Sequence, residues 1–303
     1  MKCQICSNEK SLEVYSCREF MFEMLDRFNY FRCPKCGCLQ IEQIPTDLER
    51  FYRFDYYSYE NLKKFQDRSF FYRLKKKFRY SHLFFPKAFG GRLAGFFRKK
   101  NWISCLDWRR DWRILDVGCG NGFLLHLMGQ CGFESLTGID PFISEEIQTP
   151  QYHIFKQDVT RCEGSFDCIL LSHSLEHMPN QLEALRNVER LLAPDGRILI
   201  RIPVFSEFFF ERYGEFWYSW DAPRHFFLHT TESFQKAAEA AGLRVELIFP
   251  EPKKLNVRMS ENRLRRYGKA SGPASKAEVH RIFRELLQSG QPDNCTFVLR
   301  RRS

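Results

Sequence analysis

The chain has 303 residues, 44% of them apolar, with a formal net charge of +10. That suffices for one large domain with a sizeable core plus a small one. Twelve cysteines without an apolar leader in MKCQICSNEK point to metal or free thiols rather than a disulfide framework, and no run approaches bilayer length. The expectation is a soluble cytoplasmic protein.

The first element is a pair of knuckles. Cys3-x-x-Cys6 and Cys33-x-x-Cys36 are separated by 26 residues. Thiolates at i and i+3 reach one ion, and two such pairs complete a tetrahedral four-thiolate zinc site. Gly37 fits the tight turn after Cys36. A closed all-cysteine site is structural, so residues 1–46 are expected to be a zinc ribbon too small for its own core. Cys17 and Cys38 are spare thiols.

Residues 47–110 form the second unit. A helix start follows Pro45, then a tyrosine cluster, YYSY. Between positions 61 and 110, fifteen Lys/Arg face two acidic residues (Asp67, Asp107), a balance of +13, while the rest of the chain sums to −3. The basic character is local, and so is its partner. Phe70, Phe71, Leu74 and Phe78 fall on one helical face amid Arg73, Lys75, Lys76 and Arg79. Phe84, Phe85, Phe89, Phe96 and Phe97 follow, with Gly90-Gly91 breaking the run. Three readings compete: helices packed over a pocket with solvated charges, a peripheral contact with anionic lipid at the inner membrane face, or phosphate contact with a substrate or nucleic acid. Nucleic acid ranks below the others.

From Arg113 to Pro250 strands alternate with helices, which gives a parallel sheet covered on both faces, with ligands at the C-terminal strand ends. The expected architecture is α/β, a Rossmann-like seven-stranded sheet, parallel with an antiparallel last strand, spanning 111–303. The first strand ends at Asp116 and runs into Gly118, Cys119, Gly120 and Gly122, after which a helix starts at Phe123. Glycines let the backbone turn with positive φ and let a ligand approach, and the helix directs free N–H groups at it. No Gly-Lys-Ser/Thr follows, which excludes a Walker phosphate loop. The spacing G-x-G-x-G departs from the dehydrogenase pattern, G-x-G-x-x-G. Leu136 to Ile139 is a short strand ending in Asp140, placed to accept both hydroxyls of a ribose. Tyr152 to Lys156 is another, with Asp158 just beyond, and FDCILLS runs to Ser172. Pro194-Asp195-Gly196 turns into a strand from Arg197 to Val204. A helix from Thr231 to Ala241, a strand from Leu243 to Phe249, a helix from Lys276 to Gln288 and a strand from Thr296 to Leu299 complete the sheet, the last as an antiparallel hairpin partner.

LDVGCGNG resembles the first motif of the class I S-adenosylmethionine-dependent methyltransferases, and LLAPDGRILI resembles a later one. The resemblance implies that Asp116 helps hold loop and cofactor, that Gly118 and Gly120 line the methionine portion, that Asp158 contacts the adenine amine, and that Ser172 to Ser174 lie near the sulfonium. Cys119, Gly122 and Val159 complete the expected cofactor set. A zinc ribbon, a YYSY-like stretch and this core in that order look like bacterial methyltransferases of saccharide or polysaccharide biosynthesis.

Acceptor chemistry has its own candidates. His173-x-x-Glu176-His177 puts three ligands on one helical turn. Similar Glu-x-x-Glu-His segments in some related enzymes bind a divalent metal, completed by a later histidine such as His225. This chain has His in place of the first Glu, so a cap-and-orient role for Glu176 and His177 outweighs metal. His225 is the leading general base, against a structural role beside Asp221, and Arg224 is expected to hold an acceptor phosphate or carboxylate. Residues 204–225 carry nine aromatic rings, expected to lie over the acceptor and favour a glycan or lipid-linked acceptor. The leading function is O-methylation of a saccharide, nucleotide- or lipid-diphosphate-linked. The alternatives are an RNA methyltransferase, a sugar C-methyltransferase and a cofactor-binding scaffold without turnover.

Overall fold

A computed structural model of the chain describes residues 1–52, 67–86, 101–269 and 272–302. The YYSY tyrosines, Phe89, Gly90-Gly91, Phe96 and Phe97 lie outside the described residues.

Three short strands come first: β1 (Glu13–Arg18), β2 (Arg27–Arg32) and β3 (Leu39–Ile41). A helix, α1 (Phe70–Phe84), leads into β4 (Arg113–Val117), α2 (Phe123–Gln130), β5 (Ser135–Ile139), β6 (Ile147–Gln148), β7 (Tyr152–Phe155) and β8 (Phe166–Ser172). Then come α3 (Gln181–Leu191), β9 (Leu192–Pro203), α4 (Glu207–Tyr213), β10 (Phe227–Leu228), α5 (Thr231–Ala240), β11 (Leu243–Pro250), α6 (Lys254–Leu264), α7 (Lys276–Ser289) and β12 (Asn294–Arg301).

The large sheet has the order β11-β12-β9-β8-β4-β5-β7-β6. β4 pairs in parallel with β5 and β8, β5 with β7, and β8 with β9. Strands buried on both faces need near-continuous apolar sequence, which β4 and β8 supply: Ile114, Leu115, Cys168, Ile169, Leu170 and Leu171 are fully buried. β12 runs antiparallel to both β9 and β11.

Two sheet expectations need correction. The sheet has eight strands, not seven. The extra one, β6, is a two-residue edge strand antiparallel to β7, formed because the Thr149–Tyr152 turn doubles the chain back, with Thr149 N donating to the Tyr152 carbonyl at 3.0 Å. β12 is not a simple hairpin partner: α6 and α7 separate it from β11, and it inserts between β11 and β9.

A second sheet, β1-β2-β3-β10, takes its fourth strand from the main body. Phe227 and Leu228 pair with Gln40 and Leu39. Bidentate ion pairs add to this seam, Arg18 with Glu215 at 2.7 and 3.0 Å and Arg32 with Glu207 at 2.8 and 3.2 Å. On the other face of the large sheet, Phe84 of α1 packs edge-on against Trp108 and Phe133, each at 5.1 Å.

Candidate active site

Strand order reverses between the parallel neighbours β4 and β8: β5 and β7 follow on one side, β9 and β12 on the other. Such a switch point opens a crevice at the C-terminal strand ends. A cavity of about 440 Å³ sits there, lined by Gly118 and Gly120 after β4, Asp140 after β5, Asp158, Val159 and Thr160 after β7, and His173 and Ser174 after β8.

The glycine loop has a strict steric cause. Gly118 has φ +71°, and a Cβ on it would lie 2.5 Å from Cβ of Ser174. Ser174 in turn donates its hydroxyl to the Val117 carbonyl at 2.7 Å, tying β8's end to the loop. Asp140 accepts from Gly120 N at 2.9 Å and from Phe142 N at 2.8 Å, one bond per carboxylate oxygen. Each oxygen retains an acceptor position. Burial pushes the Asp140 carboxyl up, opposed by those two amides. Asp158 is exposed on the cavity wall and held below its ordinary range by the Thr160 hydroxyl and amide. Asp116 is buried behind the loop, and desolvation, helped by Asp140, raises it to about 7.

The opposite wall carries the polar residues. His173 has φ +58°, an uncommon conformation outside glycine of the kind that clusters at functional sites. Its Nε2 lies 3.4 Å from Lys253 Nζ and its Nδ1 3.3 Å from Glu176 Oε1. An ammonium only donates, so Nε2 accepts and Nδ1–H donates to Glu176. Glu176 is buried, raised to about 8 by desolvation, and its Oε2 has no hydrogen-bond partner. His177 Nδ1 donates to the Arg224 carbonyl at 2.8 Å with the Tyr52 hydroxyl 3.1 Å away, and His225 Nδ1 donates to the Ser219 carbonyl at 2.8 Å. Both imidazoles therefore present Nε2 as the lone-pair atom. Burial lowers both, His177 to about 3. One ligand atom each from Glu176, His177 and His225 falls within 4.8 Å of the others.

Several predicted site residues line the cavity: Gly118, Gly120, Asp140, Asp158, Val159 and His177. Asp116, Cys119, Gly122, Ser172, Glu176 and His225 lie outside that lining. Gly122 caps α2 in a left-handed conformation, and Ser172 accepts from Arg201 at 3.2 Å. His225 stands behind His177, ring centroids 4.9 Å apart.

Two acceptor expectations are overturned. Arg224 is fully buried, and its guanidinium donates to Asp221 at 2.6 and 3.0 Å, to Glu19 at 3.0 Å and to the Phe51 carbonyl at 3.3 Å. With four of its five N–H donors engaged and no exposed surface, it does not reach an acceptor phosphate; the residue joins the N-terminal sheet to the main body. The aromatic insert does not cover the cavity either. Phe209, Tyr213, Trp217 and Trp220 are buried, and the insert meets Tyr15, Phe20 and Tyr30 of the N-terminal unit in ring contacts at 4.9–5.5 Å.

Three cavity-side residues lie outside the sequence motifs. Tyr52 and Phe142 stack nearly parallel at 6.2 Å, both lining the cavity. Lys253 reaches His173 from beyond β11. The one available signal for it was its place just after a strand end.

At the other end, the four cysteines converge. Cys3 Sγ lies 3.6 Å from Cys36 Sγ, and Cys6 Sγ 3.5 Å from Cys33 Sγ. A tetrahedral site with Zn–S bonds of about 2.3 Å requires S···S edges of roughly 3.8 Å, so the set fits zinc closely. Gln40 donates to Cys3 Sγ at 3.0 Å, and Gly37 N closes the knuckle on the Cys33 carbonyl at 2.7 Å.

A family model described as a methyltransferase domain matches residues 71–248. Among curated relatives, a ubiquinone biosynthesis O-methyltransferase of Actinobacillus pleuropneumoniae serotype 5b (strain L20) is 33% identical over 101 residues, 28% of this chain and 42% of that one. A tRNA U34 carboxymethyltransferase of Geobacter sp. (strain M21) is 27% identical over 121 residues, 31% of this chain and 38% of that one. The chain spans less than half the length of these relatives. Among solved structures, a mitomycin 7-O-methyltransferase is similar with a TM-score of 0.39 at 14% identity, covering 62% of this chain and 48% of the other. A mycolic acid cyclopropane synthase is similar with a TM-score of 0.43 at 17% identity, covering 62% and 78%.

Proposed function

The chain belongs to the methyltransferase-domain family, and from that premise we propose that it is an S-adenosylmethionine-dependent O-methyltransferase acting on a saccharide hydroxyl. The observation that carries the cofactor half is the cavity at the switch point, with Asp140 and Asp158 at successive strand ends beside the glycine loop. When bound there, S-adenosylmethionine supplies an electrophilic methyl group. The residues for it are Gly118 and Gly120 under the methionine portion, Asp140 at the ribose, and Asp158 and Val159 at the adenine. Asp116, Cys119 and Gly122 shape the loop from behind.

The chain's own work is to orient the acceptor and take its proton. An acceptor hydroxyl must give up its proton as it is methylated, and the chain has to supply the base that takes it. His173 lines the cavity with its Nδ1–H held by Glu176, and it acts as the base once its Nε2 exchanges Lys253 for the acceptor hydroxyl. His225 assists from behind His177. The saccharide acceptor is supported by the order of ribbon, arm and core in the sequence; the reading divides the chain into 1–46, 47–110 and 111–303. A phenolic acceptor is the second reading, favoured by the relatives named for ubiquinone biosynthesis.

Metals enter the reading twice. Zinc at Cys3, Cys6, Cys33 and Cys36 holds the ribbon. A divalent cation at Glu176, His177 and His225 is supported by the unpartnered Oε2 of Glu176 and the two Nε2 lone pairs; when bound, it supplies a Lewis acid beside the acceptor oxygen.

The test is incubation of purified protein and methyl-labelled cofactor with sugar nucleotides, lipid-linked glycans, catechols and RNA in parallel. Label in an alkali-stable sugar ether supports the proposal. Label in catechol alone selects the second reading, label in RNA or on carbon replaces both, and no label with tight cofactor binding points to a scaffold. His173→Ala is expected to slow turnover at least about a hundredfold while leaving cofactor affinity unchanged.

A further inference from the structure

Helix α1 carries two apolar stripes, and the fold uses one of them. Tyr80, Leu83 and Phe84 pack on the large sheet's outer face with Trp108 and Phe133. The second stripe, Phe70, Phe71, Leu74 and Phe78, follows helical spacing on another face. It points outward: Phe70 is 64% exposed, Phe71 79% and Phe78 58%. Of the four phenylalanines more than a third exposed among the described residues, three lie on this helix. Scattered exposed apolar residues are ordinary, but a contiguous aromatic face marks an interaction surface.

Charge identifies the partner. The helix holds Arg73, Lys75, Lys76, Lys77 and Arg79 and no acidic residue. At 100° per residue, Lys75 and Arg79 flank the stripe on one side and Arg73 and Lys77 on the other. Cations bordering a continuous ring stripe suit an interface in which rings enter the acyl boundary and long basic side chains reach back to anionic headgroups. Nucleic acid would need the cations foremost, with rings interleaved as stacking platforms. No helix among the described residues is long and apolar enough to cross a membrane.

The helix is also placed to matter for the site. Phe84 packs on Phe133, Lys77 lies at Cys131, and His126 is lowered by burial and by the nearby Arg73. α1 thus runs back along α2 toward the glycine loop, and its exposed half lies at the cavity end of the domain.

We propose that α1 docks the protein on an anionic phospholipid surface through Phe70, Phe71 and Phe78, with Lys75 and Arg79 against the headgroups. This holds whatever acceptor the site methylates. The test is co-sedimentation of the full chain with vesicles of phosphatidylcholine alone or mixed with phosphatidylglycerol, at low and high salt. The protein is expected to sediment with the anionic vesicles, less so as salt rises. The Phe71→Ser/Phe78→Ser double variant and the Lys75→Glu/Arg79→Glu double variant should each weaken partitioning by about tenfold or more. Melting temperature should not move, because these side chains are exposed. Failure to bind anionic vesicles at low salt overturns the proposal. So does binding that survives the phenylalanine variant, or a dimer in light scattering that this variant dissolves, which would mean that a second copy covers the stripe.

Discussion

Asp116 lies 3% exposed behind the glycine loop with its carboxyl raised to about 7. Between the ordinary carboxylate pKa and that value, the folded state holds a proton that the unfolded state releases. Its contribution to stability is therefore complete below about pH 4 and is lost progressively as the pH rises from there through 7. Raising the carboxyl from its ordinary range to about 7 corresponds to roughly 4 kcal/mol across that window. Asp116→Asn should flatten the slope of unfolding free energy between about pH 4 and 8, measured by urea titration. An unchanged slope would assign the proton elsewhere. Arg224 makes the opposite case. Its neighbours Asp221 and Glu19 are buried with it, and Asp221 is held well below the usual carboxylate range by the guanidinium against its own burial. Arg224→Met leaves two buried carboxylates without their cation, a change expected to cost about 3–5 kcal/mol in the same titration. In the sequence alone Arg224 is a candidate to hold an acceptor phosphate or carboxylate. Glu19, the partner that fixes its role, lies 205 residues away.

At the scale of elements, the N-terminal strands and the aromatic insert form one unit. β10 completes the small sheet, and the insert's rings meet those of β1 and β2. Zinc should therefore stabilise more than a peripheral ribbon. About one zinc per chain is expected by atomic emission, and Cys33→Ser should abolish it and lower the melting temperature of the whole protein, since Thr230 at the start of α5 donates to the Cys36 carbonyl at 3.0 Å. Full metal content in that variant would contradict the four-thiolate assignment. The doubled knuckle was legible because thiolate spacing encodes ligand geometry directly. The insert was not: a run of aromatics has the same composition whether it covers a ligand or fills an interface.

At the scale of the whole molecule, what was readable follows from locality. The glycine loop, the aspartates ending β5 and following β7, and the parallel alternation are each set within a few residues of one another. They brought Gly118, Gly120, Asp140 and Asp158 to one cavity. Tyr52, beside His177, and Lys253, beside His173, are brought there by tertiary packing alone. Strand count failed at β6, too short to leave a pattern. The central claim is the cofactor cavity, and calorimetric titration with S-adenosylhomocysteine tests it most directly. Wild-type protein should bind one equivalent, and Asp140→Ala should weaken binding by at least about a hundredfold, the loss of two charge-assisted hydrogen bonds, with the thermal unfolding transition retained. Equal affinity in the two proteins, or no binding by the wild type, would contradict the account.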